Sequence, residues 1–83
     1  MKEVAYSKSA LKVLRSIPNN EAQRIMAKVQ QYAHDPQSQG NNVKALAGSP
    51  FIRLRVGDWR IIMNDQDNVL EVHKIGPRGD IYG

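Results

Sequence analysis

FIRLRVGDWR, Phe51 to Arg60, decides how this chain folds. Ile52, Leu54 and Val56 alternate with Phe51, Arg53 and Arg55, the period of a strand with one buried face. Gly57-Asp58 is a two-residue connection with glycine first, which suits a type II′ hairpin turn. The turn predicts the pairs Val56 with Trp59, Arg55 with Arg60, Leu54 with Ile61 and Arg53 with Ile62. Downstream, Asp65–Asn68 (DQDN) reads as a second turn and Val69–Ile75 as a third strand. That reading pairs Asn64 with Val69, Ile62 with Glu71, Ile61 with Val72 and Arg60 with His73. One sheet face then collects Ile52, Leu54, Val56, Trp59, Ile61, Met63, Leu70 and Val72. The other collects Arg53, Arg55, Arg60, Ile62, Glu71 and His73. A one-residue slip would carry the arginines into the core, so the hydrophobic pattern itself selects this register.

Upstream the period changes. Residues 2–6, KEVAY, read as a short strand, and Ser7 as a helix N-cap whose hydroxyl accepts from a first-turn amide. Ala10, Val13, Leu14 and Ile17 form one helical stripe that Pro18 ends. Asn19 or Asn20 is expected to cap a second helix, with Ala22, Ile25, Met26, Val29 and Ala33 on its buried face and Tyr32 beside it. Pro36 closes that helix. The short PNN link predicts an antiparallel pair of helices. Lys12, Arg15, Arg24 and Lys28 fall mostly outside the stripes and read as solvated helix surface. Residues 36–50 read as a loop, with a helical turn expected at VKALAG. The order β-α-α-β-β-β predicts a single α+β domain over residues 1–83, an antiparallel sheet packed on the helix pair.

Bulk composition limits the function. The 83 residues carry a net charge of +4 and a pI near 9.7, which favours an acidic or polyanionic partner. Cysteine is absent, which excludes disulfides, thiolate metal sites and cysteine nucleophiles. His34 and His73 have no metal-ligand spacing, and no metal or other cofactor is expected. No apolar run approaches the roughly 20 residues of a membrane span, and the N-terminus has no signal-peptide stretch, so a cytosolic protein is expected.

Arg55 facing Arg60 is a like-charge pair of the kind that sheets avoid, because it destabilises the ladder. Three arginines against Glu71 make a one-signed surface that concentrates positive potential. The planar guanidinium suits phosphate, since it donates two parallel hydrogen bonds. The arginine face therefore points to anion binding. Glu71 and His73, two apart on that face, are candidates for an acid–base pair. In the tail KIGPRGDIYG, Arg78 follows a Gly-Pro turn, and Tyr82 reads most simply as an aromatic that packs the C-terminus.

The element order, the LRVGDWRII hairpin, the preceding NVKALAG segment and the terminal IGPRGDIY together resemble the RelE/ParE superfamily of bacterial type II toxins. The resemblance spans essentially the whole chain, and the hairpin joined to GxRxxxY is its most specific part. It implies the microbial ribonuclease-like toxin fold. RelE-like members are ribosome-dependent endoribonucleases that cut mRNA, whereas ParE-like members poison DNA gyrase. By this resemblance Arg60, Arg78 and Tyr82 take catalytic positions and Arg53 matches a basic strand residue on the same face; Arg55, Lys44 and His73 are expected beside it as further RNA-phosphate contacts. The terminal tyrosine tilts the resemblance toward the ribonuclease branch. Partners implied are a cognate antitoxin, the ribosome and mRNA, with DNA gyrase as the alternative target. Phe51 departs from the family pattern, standing where the best-known ribonucleases often carry lysine. The C-terminal helix that some members carry beyond the tyrosine is not expected in this sequence, whose last residue is Gly83.

Overall fold

A computed structural model describes residues 3–77. Strand β1, Glu3–Tyr6, leads into helix α1, Lys8–Ser16, and helix α2, Asn19–His34. A 3₁₀ segment, Pro36–Asn42, precedes β2 (Val43–Ala45), β3 (Phe51–Val56), β4 (Trp59–Asp65) and β5 (Val69–Pro77). The five strands form one sheet in the order β1-β5-β4-β3-β2. The α+β class and the helix pair agree with the sequence reading, and two details extend it. The VKALAG segment is no helical turn: Val43–Ala45 pairs antiparallel with Ile52–Leu54 and adds an edge strand. Strand β1 lies parallel to β5, so the sheet is mixed at that edge.

Local chemistry explains the helix boundaries. Ser7 Oγ accepts from Ala10 N–H (3.0 Å) and so caps α1 as expected. The cap of α2 is Pro18, which makes no side-chain hydrogen bond. Asn19 is the first helical residue, because the fixed φ of proline already sets the entry angle. One sheet face packs on both helices. Its core includes Ala10, Leu14, Ile25, Val29, Leu54, Ile61, Met63, Leu70 and Val72, with Val56 and Ile75 closing it near the β3–β4 turn.

Two polar contacts fasten β4 to α2 at its ends. Trp59 Nε1 donates to Glu21 Oε2 at 2.6 Å, and Tyr32 Oη donates to Asp65 Oδ2 at 2.9 Å. Eleven helical residues rise about 16 Å and six strand residues about 20 Å, so helix and strand run side by side in the same direction. A buried tryptophan or tyrosine keeps its polar tip satisfied in this way.

The first hairpin has the predicted register, from Val56↔Trp59 to Arg53↔Ile62. Gly57 has φ +59°, and no non-glycine residue described has positive φ, which matches a II′ turn with Asp58 in second place. The second hairpin differs. Asp65 pairs with Leu70, Asn64 with Glu71 and Met63 with Val72, two residues from the expected register. A shift of two keeps every side chain on its own face, which is why hydrophobic alternation alone did not distinguish the two registers. Beyond Met63 a β-bulge intervenes, and Ile62 pairs with Lys74, Ile61 with Ile75 and Arg60 with Gly76. His73 is the extra residue. Its carbonyl accepts from Ser7 Oγ at 2.7 Å, which gives the bulge a hydrogen-bond partner outside the ladder.

Candidate nucleic-acid interface

The face of the sheet turned away from the helices carries the charge. Lys44 on β2 lies directly opposite Arg53, and Arg55 directly opposite Arg60. On β5, Lys74 lies opposite Ile62. Five cations thus occupy four adjacent strands. Glu71, beside Ala5, and Glu3, beside Val69, hold the β1–β5 edge of the same face. Glu71 is therefore not set among the arginines as the sequence reading had it; it pairs with Asn64, on the far side of β4 from Arg55. The face is polarised, cationic from β2 across β4 to Lys74 on β5 and acidic toward the β1 edge, where Glu3 and Glu71 lie.

Arg60 is half-buried, and its Nη1 donates to Gly57 O (3.1 Å) and Trp59 O (3.0 Å). Those bonds hold its guanidinium over the hairpin mouth, a fixed donor fork rather than a freely rotating side chain. The expected neighbour His73 is elsewhere, because the two-residue register difference and the bulge together put Gly76 opposite Arg60. His73 instead stacks on Phe51, ring centroids 4.9 Å apart and planes 23° from parallel. The two rings come from β3 and β5 and meet above β4, on the cationic face. Phe51, the departure from the family pattern, thus forms half of an aromatic pair. Ile62, between Arg53 and Lys74, is 6% exposed although it points away from the helix-side core.

The predicted catalytic residues Arg78 and Tyr82 lie outside the described residues. The other two tyrosines are unsuited to act as bases. Burial pushes the Tyr6 phenol up. Tyr32 is pushed up to about 12, first by burial and then by its hydrogen bond to Asp65 and that carboxylate's charge. Of the candidate Glu71/His73 acid–base pair, Glu71 lies opposite Asn64 in the ladder and His73 stands in the bulge two residues on.

Sequence reasoning missed three cations here. The signal for Lys74 was present, since two polar residues in succession, His73-Lys74, between Val72 and Ile75 break a period-two pattern that a bulge restores. Arg24 and Lys28, read as solvated helix surface, approach the hairpin mouth from α2. Arg24 packs against Gly57, where an added Cβ would meet its Nη1 at 3.1 Å. Among the described residues no cluster of three His, Cys, Asp or Glu gathers, and no helix is long and apolar enough to cross a membrane.

Comparison with known proteins agrees with this architecture. Residues 4–82 match the family model of the ParE toxin of type II toxin–antitoxin systems, parDE, and the chain belongs to that family, within the RelE/ParE superfamily. The chain is similar to RelE in the archaeal RelE–RelB complex from Pyrococcus horikoshii OT3, with 28% identity, TM-score 0.78, and 95% of this chain and 97% of that one covered. It shares its fold with RelE of the intact E. coli RelBE toxin–antitoxin complex (22% identity, TM-score 0.72, 93% and 96% covered). It does so equally with YafQ from E. coli strain BL21(DE3) (18% identity, TM-score 0.65, both chains covered in full). No sequence among curated proteins matches. The protein is a toxin of a type II toxin–antitoxin system.

Proposed function

We propose that this toxin is a ribosome-dependent mRNA endoribonuclease, and the observation that carries the reading is the polarised cationic sheet face with its fixed Arg60 fork. RNA brings its own nucleophile, the 2′-hydroxyl, so the protein must supply in-line positioning, charge neutralisation and proton transfer. Arg60 takes the scissile phosphate, and Arg53, Arg55 and Lys44 hold the backbone on either side. The Phe51–His73 pair offers a π-face on which an adjacent base stacks. The 2′-oxygen attacks phosphorus and the P–O5′ bond breaks, leaving a 2′,3′-cyclic phosphate and a 5′-hydroxyl. Tyr82 takes the 2′-hydroxyl proton, a role that needs its phenolate, the form that neighbouring cations favour in general. Arg78 steadies the phosphorane and orients a water that gives the leaving oxygen its proton, and the proton held on Tyr82 then restores that water. Weak built-in proton transfer suits an enzyme whose substrate is held by the ribosome.

A cognate antitoxin completes the system in this reading, as RelB accompanies RelE in the similar structures. Its acidic segment covers the cationic face. A second contact falls on α1, where Leu11 is exposed beside Lys8, Lys12 and Arg15.

The ParE family match favours a second reading, in which the same fold inhibits DNA gyrase and cuts no RNA. Primer extension on a reporter mRNA, in a reconstituted translation reaction with and without ribosomes, separates the two. The nuclease reading expects cuts inside the reading frame that need ribosomes and vanish in Arg78→Ala. An intact message despite growth arrest in cells would sink it, and gyrase supercoiling would then be the assay.

A further inference from the structure

We propose that Arg24 and Lys28 of α2 join Arg55 and Arg60 in one phosphodiester-binding cleft at the hairpin mouth, extending the RNA track from the scissile site onto α2. The cleft has a volume of about 410 Å³ and is lined by Arg24, Lys28, Asn42, Arg55, Asp58 and Arg60, with Gly57 and Val56 at its base. Four cations thus face one acid. Two of the guanidiniums are held against the same glycine: Arg60 donates to the Gly57 carbonyl, and Arg24 packs where a Gly57 Cβ would project, at 3.1 to 3.4 Å. The positive φ at Gly57 serves the turn, and its missing side chain lets Arg24 approach. Converging, pre-placed guanidiniums lose less entropy when they grip an anion than mobile ones do.

A neighbouring cleft, about 250 Å³, is lined by Asn41, Asn42, Val43, Lys44, Arg53 and Arg55. Asn42 and Arg55 belong to both clefts, so the cations run as a track from the sheet face round the β3 edge to α2. A phosphodiester chain fits a track. An acidic amphipathic helix needs an apolar strip to fill, and among the described residues the only apolar side chain lining the hairpin-mouth cleft is the buried Val56. This placement of the RNA path rests on the nuclease reading, but the binding itself does not require cleavage.

The test is therefore equilibrium binding of a 2′-O-methyl single-stranded RNA, which lacks the nucleophile, across a salt series. Wild-type protein, Arg24→Gln/Lys28→Gln and an α1 control of equal charge change, Lys8→Gln/Lys12→Gln, are compared. Losing two phosphate contacts lowers the slope of log K against log salt by about 1.4 and weakens binding about 25-fold at 0.1 M salt. The control is expected to keep the wild-type slope, and Arg24→Lys to retain most of it. Equal effects of the two double variants would mean a diffuse field and overturn the cleft. So would an unchanged slope in the α2 variant, or wild-type protein that does not bind the oligonucleotide. A loss confined to an A-form duplex would assign the cleft to folded RNA, and one confined to an oligoglutamate peptide would assign it to an acidic protein; either overturns the single-strand track. Wild-type protein that binds with the expected slope yet cuts no mRNA would leave the cleft standing and remove only the nuclease reading.

Discussion

Trp59, Ile61 and Met63 of β4 turn toward the helices, while Arg60, Ile62 and Asn64 turn away, and the two sets are held by different physics. On the inner side Ile61 and Met63 are fully buried, and burial of apolar area stabilises them regardless of sequence detail elsewhere. On the outer side Arg55 and Arg60 stand opposite each other at a cost to the ladder. A face that weakens the fold while concentrating one charge fits the anion-binding role proposed above. The inner face should answer to stability measurements and the outer face to activity measurements.

The largest expected effect is Arg60→Gln. Removing a fixed donor from a developing phosphorane costs about 10²- to 10³-fold in rate, read by single-turnover cleavage on programmed ribosomes. The melting temperature should change little, since only the two bonds to Gly57 O and Trp59 O are lost. An Arg60→Gln protein that cuts normally breaks the assignment of chemistry to the outer face. Leu54→Ala, one residue from Arg53 but pointing inward, should do the reverse. It leaves a cavity at a fully buried position, lowers stability by about 2–5 kcal/mol in urea titration, and keeps single-turnover activity wherever the protein remains folded.

Tyr32→Phe sharpens the inner side further. It deletes the hydrogen bond to Asp65 that fastens the end of β4 to α2, at a cost of about 1 kcal/mol near neutral pH. Its pH dependence is diagnostic. The Tyr32 phenol is raised from 10.0 to about 12 in the folded protein, so folding favours its protonated form. The resulting stability is fully present below pH 10 and is lost as pH rises through 12. Phenylalanine cannot titrate, so the variant should show a flatter stability profile across that window in alkaline denaturation. The same slope in both proteins would show that Asp65 and burial do not act on Tyr32 as the geometry requires.

The face assignment was legible in the sequence because a strand has period two: inward and outward residues of β3 and β4 followed from alternation and one Gly-Asp turn. The β4–β5 register was not, because pairings two residues apart give the same faces. The bulge at His73 was legible in principle, from the polar pair His73-Lys74, but the hydrogen bond that accompanies it, from the Ser7 hydroxyl to the His73 carbonyl, joins residues 66 positions apart. Strand β2 was hidden for a related reason. A three-residue edge strand has too few positions to show a period, and Val43–Ala45 acquires its conformation from pairing with β3. The cations of α2 were recognised as lying outside the buried stripe, yet nothing local says that Arg24 meets Gly57, 33 residues on. Long-range proximity is what a single sequence conceals.

The smallest effect bears most directly on the comparison. If the outer face trades stability for charge, then Arg55→Gln should stabilise the protein, by a few tenths to about 1 kcal/mol, because it removes a like-charge neighbour of Arg60. Burial does not oppose the change, as Arg55 is exposed. The gain must be electrostatic in its salt dependence: clear at about 10 mM ionic strength, where the Debye length is near 30 Å, and much reduced at about 1 M, where it is near 3 Å. Lys12→Gln on α1 removes the same charge from an exposed helix position whose like-charged neighbours, Lys8 and Arg15, lie a helical turn away rather than directly across a ladder, and should show a smaller gain. Parallel salt series of thermal melts on the two variants separate a local pair from the general effect of net charge. A loss of stability in Arg55→Gln at low salt would mean that the side chain holds the hairpin together, and the outer face would then share the structural role of the inner one.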